Sequence, residues 1–324
     1  MQKLRKHNMY RIGFDIGGTN IAAGLVDEKG TIVSRFTLPF EKEAYRGALA
    51  EKLAGMVKAI IANSGIKAEE VASVGLAVPG SIDPRAEVVL DAYNLDLHDV
   101  PLRAEVQAEL PEYPVLLIND ADAAAVAELY GGAFSAAKTA VLLTLGTGVG
   151  GGVIIGGRLW RGGMGHGVEL GHMALDISGR MCTCGVRGCI EANCAATSLI
   201  TAAREALASG ERGLLYERCG GDPMRINAKT VMDAARENDP AASHIFRDYV
   251  NALSSAVVSV IHLLDPEVIA IGGGVSLAGD FLFAPLREKV QEKCFFDTFA
   301  RIEPARYGND AGILGAAMLG ATEI

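Results

Sequence analysis

Ile12-Gly13-Phe14-Asp15-Ile16-Gly17-Gly18-Thr19-Asn20 and, later in the chain, Val141-Leu142-Leu143-Thr144-Leu145-Gly146-Thr147-Gly148 carry the reading of the fold. Each is an apolar run of strand length, closed by a glycine-rich reversal and followed by a second apolar run, 21–26 in the first copy and 152–155 in the second. Short apolar runs bounded by Gly and turn residues read as buried strands. Each copy ends in another turn, Asp27-Glu28-Lys29-Gly30 in one and Gly156-Gly157 in the other. Two glycine hairpins can coincide by chance. Each of these, however, opens a run of strands and helices of similar size, which predicts two related α/β halves.

Working outward from the first copy, strands are expected over 10–15, 31–38, 71–78 and 114–118. Apolar residues at Leu49, Leu53, Met56, Val57, Ile60 and Ile61 have helical spacing and predict a helix over 44–63, stopping before Gly65. The Ala-rich stretch after Asn119-Asp120 predicts another, to Tyr130. The second half should be helical over 191–209, 228–238 and 240–264, with a strand over 268–271 closing in Gly272-Gly273-Gly274. A short amphipathic helix is expected over 310–319. No low-complexity linker intervenes, so the halves should be closely joined with a cleft between them. The expected division is a small N-terminal α/β domain over 1–118 plus 308–324, and a large one over 119–307.

Composition narrows the function. At 324 residues the chain is too long for one ordinary core. Half of it is hydrophobic and 21% is charged, as in globular proteins. Its net charge of −9 argues against a nucleic-acid or anionic-membrane partner, although local backbone amides could still hold a small anion. No window has the length and apolarity of a membrane span. The basic start MQKLRKHNMYR leads into a strand and has no apolar signal core. Cys194, Cys219 and Cys294 stand apart from the other cysteines and suit a reducing cytoplasm.

The most specific local signal is HMALDISGRMCTCGVRGCIE at 172–191. Cys182, Cys184 and Cys189, with His172 upstream, are the ligand complement of a closed Cys3His zinc site. A disulfide competes poorly, since Cys182 and Cys184 are too close to bridge easily and the count is odd. Inert buried thiols compete too, but these are usually scattered through a core. Glu169 and Glu191 flank the loop. His166 and His262 carry no spacing signal and read as structural.

The two glycine-rich reversals offer runs of backbone N–H groups, a concave anion site, with Thr19 and Thr147 adding hydroxyls. Neither is a Walker loop or a dinucleotide fingerprint, because no Gly-Lys-Ser/Thr follows and each leads into a strand. Facing each other, they would grip a polyphosphate; the alternative is hairpin glycines with a backbone role alone. Gly272-Gly273-Gly274 either lets a flat base approach or makes a simple strand-to-helix turn. Asn119-Asp120-Ala121-Asp122 lies at a strand-to-helix junction, where open α/β folds place ligands. Asp120 could accept a proton from an alcohol that Asn119 orients; equally, the pair could be an N-cap and an acidic first turn. Asp122 reads as capping. Pro79-Gly80 and Asn94 could offer amide and carboxamide contacts to a polyol.

Together these residues resemble the ROK family (repressor, open reading frame, kinase), and within it the sugar kinases of the bacterial glucokinase type. The motifs are DIGGTN at 15–20, PGSID at 79–83, NL at 94–95, NDAD at 119–122, LGTGVGGG at 145–152, ELGH at 169–172, CTCGVRGCIE at 182–191 and IGGGV at 271–275. The cysteine loop is the most specific; the others are shared more loosely among actin-like ATPases. The resemblance implies an α/β protein of the actin-like ATPase fold, with two related (RNase H-like) domains around a cleft and a structural zinc loop. It implies ATP-dependent phosphorylation of a hexose at its 6-hydroxyl. Glucose leads the candidates, ahead of N-acetylglucosamine, N-acetylmannosamine, mannose, fructose and allose.

By the same resemblance Asp120 is the catalytic base, and Gly80, Asn94, Asn119, Glu169, His172 and Glu191 hold the sugar. Asp15, Gly17, Gly18, Thr19, Asn20, Thr144, Gly146, Thr147 and Gly148 serve ATP, with Asp15 orienting Mg2+ and Gly273 near adenosine. His172, Cys182, Cys184 and Cys189 bind Zn2+. A cytoplasmic homodimer is implied as well. Val168 stands where such kinases usually have Gly, and 96–99 lack an aromatic often found there. A ROK regulator would carry an N-terminal helix-turn-helix, for which the nine residues before the first strand leave no room. A generic actin-like ATPase would not need the cysteine loop or its glutamates.

Overall fold

The computed structural model describes residues 9–45 and 47–321; the basic start over 1–8 lies outside them. The first sheet is built from β1 (Tyr10–Ile16), β2 (Asn20–Val26), β3 (Ile32–Pro39) and β4 (Val71–Val78), with β5 (Ser81–Ile82), β6 (Val89–Ala92) and β7 (Leu97–Val100) forming a small antiparallel sheet of their own. β8 (Val115–Asn119) completes the first sheet in the order β3-β2-β1-β4-β8. β1 to β3 are antiparallel, whereas β4 lies parallel to β1 and to β8. The remaining strands, β9 (Ala140–Leu145), β10 (Val149–Ile155), β11 (Arg158–Leu159), β12 (Val268–Gly272) and β13 (Arg301–Pro304), form a second sheet in the order β11-β10-β9-β12-β13. Hairpin strands on one side and parallel strands on the other recur in both. The motif repeat in the sequence is therefore a repeat of topology.

Two compact units result. One comprises Met1–Lys138, Gly152–Val168 and Tyr307–Ile324, the other Thr139–Gly151 and Glu169–Arg306. In the first unit the parallel strands are covered on both faces, which is why they read as unbroken apolar runs. Ile12, Phe14, Ile16, Val74, Leu76 and Val78 join one core with the helices Leu49–Ser64 and Leu102–Glu109. Ala77 and Ile118 join another with the helices Asp120–Gly131 and Ala311–Leu319.

The helix Ala311–Leu319 departs from the expected amphipathic pattern: all nine of its residues are buried. It lies against β1 and β4 on one side and against Asp120–Gly131 on the other, so no face is left for water. Small residues make this possible. A Cβ on Gly75 would sit 1.9 Å from the Ala316 carbonyl oxygen, and one on Gly315 would sit 1.7 Å from that of Ala123.

In the second unit the helix Pro240–Leu264 has the bounds its sequence predicts. Asp239 caps it by accepting from the Ala242 N–H at 2.9 Å, and Pro240 occupies the first turn. The helix expected over 191–209 is instead two, Ile190–Cys194 and Ala196–Ala208. Ala195 is extended, and the Ala196 N–H donates to the Gly146 carbonyl at 2.8 Å, a tertiary bond that no local pattern encodes. The segment expected as one helix over 44–63 is likewise divided, into Lys42–Tyr45 and Leu49–Ser64, with Gly47 left-handed between them (φ +70°).

Candidate active site

In the first unit the β1–β2 turn closes with the Gly17 N–H donating to the Asn20 carbonyl at 2.9 Å, which leaves Gly18, Thr19 and Asn20 exposed. Gly18 abuts Asn94, in the turn after β6: a Cβ there would lie 3.2 Å from the Asn94 Cβ. Asp15 projects from the end of β1 against the first turn of the helix Ala311–Leu319. Gly312 admits it, since a Cβ at that position would lie 2.6 Å from the Asp15 carboxyl carbon. Burial, and after it the charge of Asp120, push the Asp15 carboxyl up to about 6.

Asp120 opens the helix Asp120–Gly131 and is exposed, with the helix N-terminal dipole beside its carboxylate. Asn119 is the N-cap: its Oδ1 accepts from the N–H groups of Ala121 (2.8 Å) and Asp122 (3.2 Å). Its Nδ2 donates to the Gly80 carbonyl at 2.9 Å. The capping reading of Asn119 thus holds, and the same bonds fix the direction of its amide. Gly80 adopts φ +91° and lies so close to β6 that a Cβ would be 2.0 Å from the Asp91 carbonyl oxygen. Asp122, read from sequence as capping, is instead buried, with the Arg161 Nε 3.8 Å away. No local pattern points to that partner, because Arg161 lies in a distant glycine-rich loop.

In the second unit Thr144 is paired with Gly272 at the ends of β9 and β12, and the next residue, Gly273, lies against Leu145. The Gly146 N–H donates to the Gly148 carbonyl at 3.0 Å, closing the second turn. The start of the helix Ala196–Ala208 supports this turn. Besides the Ala196 bond to Gly146, the Thr197 hydroxyl donates to the Thr147 carbonyl at 2.9 Å. Glu191 holds its far end, accepting from the Val149 N–H through Oε2 at 3.0 Å.

The cysteine loop gathers as its spacing predicts. The ligand atoms of His172, Cys182, Cys184 and Cys189 all lie within 4.8 Å of one another. The Cys184 and Cys189 sulfurs are 3.5 Å apart, and the His172 Nδ1 is 3.7 Å from the Cys182 sulfur. A tetrahedron of ligands at zinc–sulfur bond length has edges of about 3.8 Å, so the donors fit zinc in number, chemistry and spacing. Burial, with the neighbouring thiols, pushes the Cys189 thiol up to about 12, and a dication is what would reverse that. Gly188 lets the loop close (φ +69°); a Cβ there would lie 1.5 Å from the Asp176 carbonyl oxygen.

Glu169 is exposed just before the short 3-10 turn Leu170–His172, whose His172 N–H donates to the Glu169 carbonyl at 3.1 Å. Val168 does not need the freedom of a glycine. The left-handed residue of this segment is Gly167 (φ +97°), one place earlier. Thr183, Thr197, Gly312 and Arg161 are the site-shaping residues that sequence reasoning passed over. Only Thr183 carried a signal, by lying between two of the cysteines.

A family model described as the ROK family matches residues 11–323. The glucokinase of Thermotoga maritima is 40% identical over 312 residues, covering 95% of this chain and 96% of its own. An N-acetylmannosamine kinase of Escherichia coli is 32% identical, covering 98% and 100%. Among solved structures, a ROK family glucokinase from Streptomyces griseus in complex with glucose and AMPPNP is 34% identical, with a TM-score of 0.77 and coverage of 96% and 98%. A match of this extent, on a frame of two topologically alike sheets with a Cys3His cluster, makes the chain a member of the ROK family, with the actin-like ATPase fold of that family's sugar kinases.

Proposed function

We propose that this protein is an ATP-dependent hexose kinase that converts glucose to glucose 6-phosphate. The observation that carries the choice of sugar is the likeness to glucokinases, 40% identical, against 32% for N-acetylmannosamine kinases over a similar span. The donor assignment is supported by the AMPPNP bound to the Streptomyces griseus relative.

Phosphoryl transfer asks a protein for positioning and for charge stabilisation. Asp120 accepts the proton of the 6-hydroxyl as that oxygen bonds to the γ-phosphorus and the bond to the β–γ bridging oxygen breaks, releasing ADP. It needs no raised pKa, because the alcohol acidifies as the new bond forms. Asn119, held by its cap and by Gly80, orients the alcohol. Gly80, Asn94, Glu169, His172 and Glu191 fix the ring hydroxyls. The turns at Gly17–Asn20 and Gly146–Gly148, with Thr144, present amides and hydroxyls to the phosphates, and Gly273 leaves room for adenosine. Magnesium, when bound, neutralises phosphate charge. Asp15, an oxygen donor whose ionisation burial opposes, suits such a cation. Zinc, when bound, has four protein ligands and no open position, so its part is structural. We assign the protein to the cytoplasm, as a homodimer at the entry to glycolysis.

A coupled assay of ADP release across a panel of hexoses with Mg-ATP tests this. The expected outcome is the highest kcat/KM for glucose. A higher value for N-acetylmannosamine would transfer the assignment to the runner-up, which the E. coli relative supports. ADP release indifferent to hexose would replace both with a generic ATPase.

A further inference from the structure

Thr183, between two cysteines of the metal loop, has no assigned part in binding or catalysis. Its hydroxyl donates to Glu191 Oε1 at 3.1 Å. The other oxygen of the same carboxylate, Oε2, accepts from the Val149 N–H at the end of the second glycine turn. Oε2 also occupies the space where a side chain on residue 148 would begin: a Cβ on Gly148 would lie 2.3 Å from it. A carboxylate with one oxygen in the cysteine loop and the other against the turn is a strut between the two. The Cys182 sulfur lies 3.5 Å from Oε1 as well, but a sulfur that ligates a metal has no proton to donate. In the loaded loop, Thr183 is the donor left to that oxygen.

From this geometry we infer that Thr183 is a positioning residue for nucleotide binding. It acts through Glu191, fixing the peptide between Gly148 and Val149 and so the direction of the amides in the Gly146–Gly148 turn. Glu191 thereby serves the nucleotide side as well as the sugar, and the state of the metal loop reaches the phosphates without any contact between the metal and ATP. The inference rests on reading this turn as a phosphate site.

The test is titration of the full-length protein with ADP in the absence of sugar, comparing wild type, Thr183→Val and Thr183→Ser, with zinc content measured on each. Thr183→Val keeps the side-chain shape and removes the donor. Its ADP dissociation constant should rise roughly fivefold, the effect of one hydrogen bond, with zinc unchanged. Thr183→Ser should restore the wild-type value. Equal ADP affinity in wild type and Thr183→Val would overturn the inference. If Thr183→Val loses zinc or fails to fold, Glu191→Leu decides, since it removes both ends of the strut at similar size. Its ADP binding should weaken at least as much, and unchanged binding would sink the idea. Failure of the functional reading looks different: the wild type would bind ADP and phosphorylate no hexose.

Discussion

The two glycine turns sit on sheets of like topology but are braced in different ways. The turn after β1 is backed by the chain's own core: Asp15 lies on the fully buried helix Ala311–Leu319, and Gly18 rests on Asn94. The turn after β9 is backed by hydrogen bonds from outside the sheet, from Ala196, Thr197 and Glu191. Glu191 in turn accepts from Thr183, in a loop whose three thiols and imidazole gather within 4.8 Å of one another and could hold a metal ion. One frame thus carries one turn that packing secures and one that hydrogen bonds tie to the cysteine loop and the helix Ala196–Ala208. A duplicated fold keeps its hydrogen-bonded skeleton, while whatever lies behind each turn is free to differ.

The largest effect is expected at Asp120 in the first unit. Asp120→Ala should lower kcat by about 10²- to 10⁴-fold, the usual range for loss of a general base, while calorimetry still detects sugar binding. Retained turnover would remove Asp120 from that role.

A smaller effect separates the two kinds of bracing. Stripping zinc with a chelator should cost the second unit about 4 kcal/mol where free zinc had exceeded its dissociation constant a thousandfold. Hydrogen exchange should then quicken at 146–149 and 172–191 and stay unchanged at 15–20. Equal loosening of both turns would mean that the cysteine loop braces the whole molecule and not one half.

The smallest effect concerns charge at the first turn. The Asp15 carboxyl is raised to about 6, so the folded protein keeps a proton that the unfolded chain releases from about pH 4 upward. Stability from this group is full below pH 4 and is lost as pH rises through 6. Asp15→Asn should therefore gain on wild type across that window, by about 1–2 kcal/mol once partial exposure is discounted, in denaturant melts without magnesium. A gap that widens toward low pH would contradict the buried-carboxylate account.

Much of this was legible in the chain itself. β4 over Val71–Val78 and the helix Pro240–Leu264 have the bounds that periodicity and capping predict, because apolar runs and an Asp-Pro start are local signals. The Cys3His cluster was legible for a similar reason, since three of its four members fall within eight positions. The helix Asp280–Lys293 hid behind an internal Pro285, and the four-residue strands β6, β7 and β13 are too short for alternation to speak. The helix Ala311–Leu319 misled because small residues look amphipathic or buried according to what covers them.

Sequence alone determined the repeat, the Cys3His set of the cysteine loop and the chemical character of each turn, all of which depend on residue type and short spacing. The tertiary structure decided that the chain breaks its helix at Ala195 with the Ala196 N–H bonded to Gly146, that Asp122 is buried with Arg161, and that Glu191 spans from Thr183 to Val149. These are pairings between distant segments. No local propensity favours them; they form because packing leaves those polar groups no cheaper partner.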